Sequence, residues 1–269
     1  MSRVIAIANQ KGGVGKTTTA INLSAGLAVA ERRTLVVDMD PQGNATSGLG
    51  LDRSELEGSV YDVLVDGEAI EQVRLAQVHF PYLDVVPSSR DLVGAEVELV
   101  ERADRELVLR RALESVRDGY DYVLLDCPPS LGLLTLNVLA AADTVLIPIQ
   151  CEFYALEGLS QLLNTIRVVQ QNLNPKLQIE GVLLTMYDQR LNLSRQVAEE
   201  ATEYFGSRVF RSMIPRNVRL AEAPSFGKPI VVYDVLSVGA QSYIALAREI
   251  IGRDHAVADG QSPTTGVSR

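Results

Sequence analysis

The sequence has no tryptophan, and nine tyrosines and five phenylalanines are its whole aromatic complement. That argues against the aromatic-lined groove of a carbohydrate binder. It has two cysteines, Cys127 and Cys151. A disulfide framework needs more of them in a shorter chain, so the pair is expected as reduced, buried thiols of a cytosolic protein. No stretch approaches the roughly 18 consecutive apolar residues of a membrane span. The opening, Met1-Ser2-Arg3 followed by the apolar Val4 to Ala8, is too short for a secretory leader and runs directly into a glycine-rich motif. The expected setting is soluble and cytoplasmic. What the sequence does have is length and apolar content. Its 269 residues, 46% of them hydrophobic, suffice for one large α/β domain with a buried core.

The net charge of −9 speaks against nucleic acid until its distribution is examined. Between Arg167 and Arg253 there are eleven Lys and Arg against eight Asp and Glu, while the remainder holds 14 basic and 26 acidic residues. A basic face on an acidic protein is compatible with those counts.

Short Val/Ile/Leu runs without polar alternation fall at Val4 to Ala8, Thr34 to Val37, Leu83 to Val86, Tyr122 to Leu125, Thr144 to Ile149 and Ile179 to Thr185. Apolar residues at helical spacing occupy Thr17 to Ala30 and roughly 90–118, 132–141, 155–173, 192–205 and 240–252. Buried strands separated by helices predict a mostly parallel, twisted sheet with helices on both faces. In such sheets ligands lie at the carboxyl ends of the strands. Here a glycine loop, Asp38 and Asp126 close three of them. Residues 41–53, rich in Gly, Asn, Ser and Pro, read as a loop. Residues 1–253 are expected as a single domain, and the polar stretch 254–269 as a disordered tail.

The run Lys11-Gly12-Gly13-Val14-Gly15-Lys16-Thr17-Thr18 is a phosphate-binding loop. Its glycines let backbone N–H groups turn inward toward phosphate oxygens, and the following helix adds its positive N-terminal end. Lys16 is placed to reach the β- and γ-phosphates, the Thr17 hydroxyl to ligate Mg²⁺, and Thr18 to contact the α-phosphate. The pattern G-x-x-x-x-G-K-[ST] fails at its first position, which is Gln10, and a second lysine, Lys11, stands at the loop's start. Asp126, at the end of Tyr-Val-Leu-Leu-Asp, sits where a carboxylate that holds Mg²⁺ from behind its direct ligands belongs. Asp38 and Asp40, in Asp-Met-Asp-Pro-Gln, end the neighbouring strand, where one of them can position Mg²⁺ and the attacking water.

Those segments resemble the deviant Walker A ATPases: residues 11–18, Asp-Met-Asp-Pro-Gln-Gly-Asn at 38–44 and Leu-Leu-Asp-Cys-Pro-Pro-Ser at 124–130. Thr-Met-Tyr-Asp-Gln-Arg at 185–190 and Ile-Pro-Arg-Asn-Val-Arg-Leu-Ala-Glu-Ala-Pro-Ser at 214–225 narrow the resemblance to the ParA/Soj chromosome-partitioning ATPases, over about residues 3–252. The resemblance implies a P-loop ATPase using ATP and Mg²⁺. Lys11 would reach across a face-to-face dimer to the partner's ATP, so that the homodimer depends on ATP. Asp40 would be the hydrolysis-critical residue of the switch loop, and Pro215 and Asn217 would contact the base. The ATP dimer would bind double-stranded DNA without sequence preference, chiefly through Arg190 and Arg219. Arg195, Arg211 and Arg216 lie in the same basic stretch and would extend that surface. A ParB/Spo0J-type centromere-binding protein would stimulate hydrolysis and release the dimer from the nucleoid. Basal turnover is expected to be slow. With its first strand beginning by Val4, the chain is expected to lack the N-terminal helix-turn-helix module of longer plasmid relatives.

Rival readings have specific requirements. A MinD-like membrane ATPase needs a basic amphipathic C-terminal helix, and 240–252 offers Arg248 beside Glu249, so no membrane partner is expected. An iron–sulfur relative needs exposed thiolates, which Cys127 and Cys151 do not promise. A metabolic ligase or kinase needs a second substrate pocket. A ParA-like ATPase carrying another cargo, such as a plasmid or a protein assembly, stays open.

Overall fold

All six apolar runs become strands in the computed structural model, which describes residues 2–152 and 159–258. They are β1 (Arg3–Ile7), β2 (Thr34–Asp38), β3 (Leu83–Val86), β4 (Tyr122–Asp126), β5 (Thr144–Gln150) and β6 (Gln178–Thr185). They form one sheet in the order β3-β2-β4-β1-β5-β6, and every neighbouring pair is parallel. The helices in chain order are α1 (Lys16–Val29), α2 (Asn44–Gly48), α3 (Ile70–Val73), α4 (Leu92–Glu98), α5 (Val108–Glu114), α6 (Leu133–Ala141), α7 (Leu159–Asn172), α8 (Asn192–Phe205), α9 (Val218–Glu222), α10 (Ile230–Tyr233) and α11 (Val238–Ala258).

Each strand buries both faces, as continuous apolar runs require. In β1, Val4 and Ala6 join a core layer with residues of α4 to α8, while Ile5 and Ile7 join the opposite layer with α1 and α11. Within the second layer Leu23, Leu27 and Leu246 have no solvent contact, and truncating one such side chain to alanine costs about 2–5 kcal/mol. The strand order brings the carboxyl ends of β2, β4 and β1 side by side. Asp38 pairs with Asp126 in register, and Asp126 with Ile7.

Three expectations are corrected. Residues 41–53 are not all loop. Asp38 accepts hydrogen bonds from the Thr46 N–H (2.8 Å) and the Thr46 hydroxyl (2.7 Å), and this draws 44–48 into the short α2. The 90–118 pattern is not one helix. It breaks after a 3₁₀ turn at Leu99–Glu101, where the Arg102 guanidinium donates to the carbonyls of Leu64 (3.0 Å) and Val65 (2.6 Å). Those carbonyls belong to a π-helical turn, Asp62–Asp66. The last helix also runs on past Arg253 to Ala258. Asp254 is held there by Arg3 and by the Tyr122 hydroxyl. Arg3 also pairs with the buried Glu180, so Asp254, expected in a tail, ties the last helix to the sheet. Residues 155–158 of the expected 155–173 helix, and 259–269 of the expected tail, lie outside the described residues.

Candidate functional site

β1 delivers the chain to the glycine loop through Ala8 and Asn9, both buried. The Asn9 amide donates to the Pro148 carbonyl (2.7 Å), and its oxygen accepts the Lys11 N–H (3.0 Å), so the loop's start is fastened to β5. Gly13 and Gly15 adopt left-handed backbone, φ 75° and 90°. That conformation suits glycine and is costly for most other residues. No heavy atom outside the adjacent residues lies within 4 Å of where a Cβ would stand on Gly12 or Gly13, so the mouth of the loop is open. The far side is tied down by the Thr185 hydroxyl at the end of β6, which donates to the Val14 carbonyl (2.8 Å). Helix α1 begins at once, with no side-chain cap on its first amides, leaving them for an anion.

Lys16 is only 7% exposed, and its ammonium donates to the Lys11 carbonyl (3.2 Å). Burial lowers its pKa, opposed by the charges of Asp126, Cys127 and Asp40. Asp126 lies opposite with no solvent contact. Neither of its carboxylate oxygens has a hydrogen-bond donor in place among the described residues. Burial raises its pKa well above the usual carboxylate range, and the neighbouring Asp38 charge adds to this; the Thr17 hydroxyl, nearby but outside hydrogen-bonding geometry, and Lys16 pull the other way. An orphaned buried carboxylate beside a hydroxyl and a phosphate loop fits a hard divalent cation. Thr17 and Asp126, with Asp40 near them, are the residues that would hold Mg²⁺. Among the described residues no cluster of three or more His, Cys, Asp and Glu forms a metal cage.

The structure separates the two aspartates of the 38–40 turn. Asp38 is fully engaged, by Thr46 and by the Asp40 N–H (3.2 Å); burial pushes its pKa up to about 6 against the pull of those bonds. Asp40 is 7% exposed, accepts the Gln42 N–H (2.9 Å), and is held through its carbonyl by the Ser88 hydroxyl (2.8 Å). The Arg53 guanidinium lies across this turn, donating to the carbonyls of Pro41 (2.9 Å) and Gln42 (2.7 Å). Asn9, Thr46, Arg53, Ser88 and Thr185 are therefore parts of the site that the sequence reading missed. Only Thr185 carried a signal, as the first residue of the 185–190 motif.

The basic residues are gathered less tightly. Tyr187 bridges Pro215 in parallel, bringing the 185–190 and 214–217 motifs together at the end of β6. There Arg190 makes paired hydrogen bonds to Asp188 (2.9 and 2.7 Å), and these with the nearby Arg216 hold the Asp188 carboxyl down at about 2. Arg216 pairs with Glu152 (3.3 Å), and Arg195 follows in the first turn of α8, bonded to Asn192. Arg219 stands apart on α9, paired with Glu222 (2.9 Å) and Asp234 (3.6 Å). Arg211 is exposed beside the mid-strand of β6, since the next-door Phe210 N–H bonds the Val182 carbonyl. Asn217, expected at the base, caps α9 by accepting the Leu220 N–H (3.3 Å). Cys127 and Cys151 are both buried and unpaired. Burial pushes the Cys151 thiol up to about 12 and raises that of Cys127 as well, so neither offers a thiolate to a cluster.

The family described as AAA domain matches residues 2–179. Over 254 residues the chain is 60% identical to the chromosome partitioning protein ParA of Myxococcus xanthus, covering 94% of this chain and 89% of that relative. It is 59% identical over 251 residues to the sporulation initiation inhibitor protein Soj of Bacillus subtilis, covering 93% and 98%. Among solved structures, one described as cobyrinic acid a,c-diamide synthase from Mycobacterium smegmatis, with bound ADP and magnesium, matches with a TM-score of 0.83 at 39% identity. It covers 99% of this chain and 100% of that one. The septum site-determining protein MinD of Pyrococcus horikoshii, complexed with Mg-ADP, shares the fold at a TM-score of 0.77 and 24% identity, over 98% and 100%.

Proposed function

The chain belongs to the ParA/Soj family of chromosome-partitioning proteins, and on that premise we propose that it is a partitioning ATPase whose ATP-bound dimer holds DNA non-specifically. The observation that carries the ATPase reading is the orphaned Asp126 carboxylate facing Lys16 beside an open glycine loop. It binds ATP with Mg²⁺, as the solved relative with 39% identity binds ADP and magnesium. The synthase named for that structure shares the fold over 99% of this chain, at 39% identity. Identity of 59–60% over more than nine-tenths of the chain favours partitioning instead.

The loop amides and the first turn of α1 cradle the phosphates, and Lys16 neutralises charge on the β- and γ-oxygens. Mg²⁺ supplies further neutralisation of the triphosphate when bound. Asp40, on a turn held by Ser88 and Arg53, orients the water that attacks the γ-phosphorus, and ADP leaves. Lys11 is partly exposed and makes no ion pair among the described residues, which leaves its ammonium for a partner's triphosphate. No arginine side chain donates to residues 10–18 among the described residues. Slow basal turnover, raised by a ParB/Spo0J-type partner, is what a site without a resident arginine finger would give.

Arg190, Arg216 and Arg219 are exposed and held by carboxylates on the surface. Such pairs contribute little and are readily exchanged for phosphate. Doubled in a dimer, they would give an acidic protein a basic face and place it on the nucleoid within the cytoplasm. α11 turns Ala240, Tyr243, Leu246, Ala247 and Ile250 into the core, which argues against a membrane-seeking role, and no helix among the described residues is long and apolar enough to cross a membrane.

The test is binding to random-sequence duplex DNA at low salt, with Mg-ATP against Mg-ADP. Binding with ATP alone is expected, and Arg190→Ala and Arg219→Ala should each reduce the salt slope by about one. Arg211→Ala, set lower on β6, should change it less. An ATP dimer indifferent to DNA would sink the reading and direct attention to another cargo.

A further inference from the structure

The imidazole of His79 joins two segments far apart in sequence. Its Nε2 lies 2.9 Å from the Leu49 carbonyl and 3.0 Å from the Gly227 carbonyl. Both partners are acceptors, so Nε2 carries the proton and donates to each. The loop that presents the ring bends twice into left-handed backbone at non-glycine residues, Gln77 (φ 57°) and His79 itself (φ 61°). Such conformations persist where surrounding structure holds them. Beneath the ring the two clamped segments touch backbone to backbone. A Cβ on Gly50 would lie 2.7 Å from the Gly227 carbonyl oxygen, and one on Gly227 would lie 2.5 Å from the Gly50 Cα. Both glycines are left-handed, φ 79° and 61°, so only glycine fits at either side of this contact.

The joined segments lead to the two ends of the proposed function. Leu49 and Gly50 close α2. Thr46 of that helix is bonded to Asp38 and, through its hydroxyl, to the Ser88 N–H (2.9 Å); the Ser88 hydroxyl in turn holds the Asp40 carbonyl. Gly227 ends the 3₁₀ turn Ala223–Phe226, which continues directly from α9 and Arg219. Pro224 of that turn would meet a Cβ on Gly48 of α2 at 3.7 Å. A shift of the Asp40 turn therefore has a contiguous route of hydrogen bonds and packed backbone to the Arg219 segment, and His79 is the side chain that fastens its midpoint.

We propose that His79 is a positioning residue that couples the Asp40 turn to the Arg219 segment, so that the nucleotide bound at one sets the placement of the other. The Arg219 end of this inference rests on the DNA-binding reading above; the coupling itself does not. His79 is exposed, so replacing it leaves the core layers intact.

The experiment is amide hydrogen exchange of the full chain with Mg-ATP and with Mg-ADP, in the absence of DNA. Residues 218–227 of the wild type should differ in protection between the two nucleotides. His79→Ala should shrink that difference by roughly two- to tenfold. His79→Gln, whose amide nitrogen can stand in for Nε2, should restore it. Nucleotide affinity and melting temperature should stay near wild type in both variants, a pattern that a merely structural role would not produce. Equal protection of 218–227 with both nucleotides in the wild type would overturn the proposal, as would an undiminished difference in His79→Ala or no recovery in His79→Gln. Because no DNA is present, failure of DNA binding elsewhere would refute the function reading without touching this result.

Discussion

Asp38 and Asp126 face each other in register at the carboxyl ends of neighbouring strands, both without solvent contact, yet only Asp38 receives hydrogen bonds. An ionised buried carboxylate without donors destabilises the nucleotide-free fold. Asp126→Asn should therefore melt higher than wild type in the absence of nucleotide, by about 1–3 kcal/mol, while losing Mg-dependent ATP hydrolysis. Thermal melts and phosphate release read the two effects. A variant less stable than wild type would contradict the account of Asp126.

The advantage of that variant should depend on pH. Folding raises the pKa of both aspartates, to about 6 for Asp38. A raised pKa gives a contribution that is complete below the unfolded value near 3.8 and is lost as pH rises through the folded value. Below the unfolded value the carboxyl is neutral in both the folded and the unfolded chain, and Asp126→Asn should gain almost nothing. Its advantage should open as pH rises past the unfolded value and grow until the raised folded value of Asp126 is passed. Denaturant melts across that range check it, and a constant difference would refute the assignment.

The two lysines of the loop should fail differently. Lys16→Ala removes the buried ammonium and should weaken ATP binding by about a hundredfold. Lys11→Ala should bind ATP within about threefold of wild type but remain monomeric with ATP, as read by sedimentation. Loss of ATP binding in Lys11→Ala would place that side chain in its own subunit's site.

Arg53 holds the turn after Asp40 by two carbonyls. Arg53→Ala should slow hydrolysis about tenfold through misplacement of that turn, with ATP affinity little changed, and Arg53→Lys should recover part of the rate. A rate unaffected in Arg53→Ala would show that the turn needs no such brace.

The strands and the glycine loop were legible because their signals are local. Runs such as Leu35 to Val37 and Val123 to Leu125 bury both faces wherever they are placed in a parallel sheet, and Gly13 and Gly15 declare a left-handed turn. The braces of the site were not legible because each is a long-range meeting. Asn9 reaches Pro148, Ser88 reaches Asp40, and Thr185 reaches Val14; no periodicity encodes such pairs. The same limit explains the misread helix at 90–118. Its buried leucines, Leu92, Leu99, Leu109 and Leu113, keep a helical look, while the break is set by acceptors near Leu64. It explains Asp254 too, whose polar neighbours suggest a tail until Arg3 and Tyr122 are seen beside it.

The exit of β6 performs two tasks within six residues. Thr185 anchors the glycine loop, Tyr187 pairs with Pro215, and Arg190 stands at the surface. This span is consequently a ruler between the phosphate loop and the surface arginine. One residue added or removed there would unseat the phosphate loop or swing the arginine away. A substitution along it can alter the surface without moving the phosphate loop, whereas a change of length would disturb both.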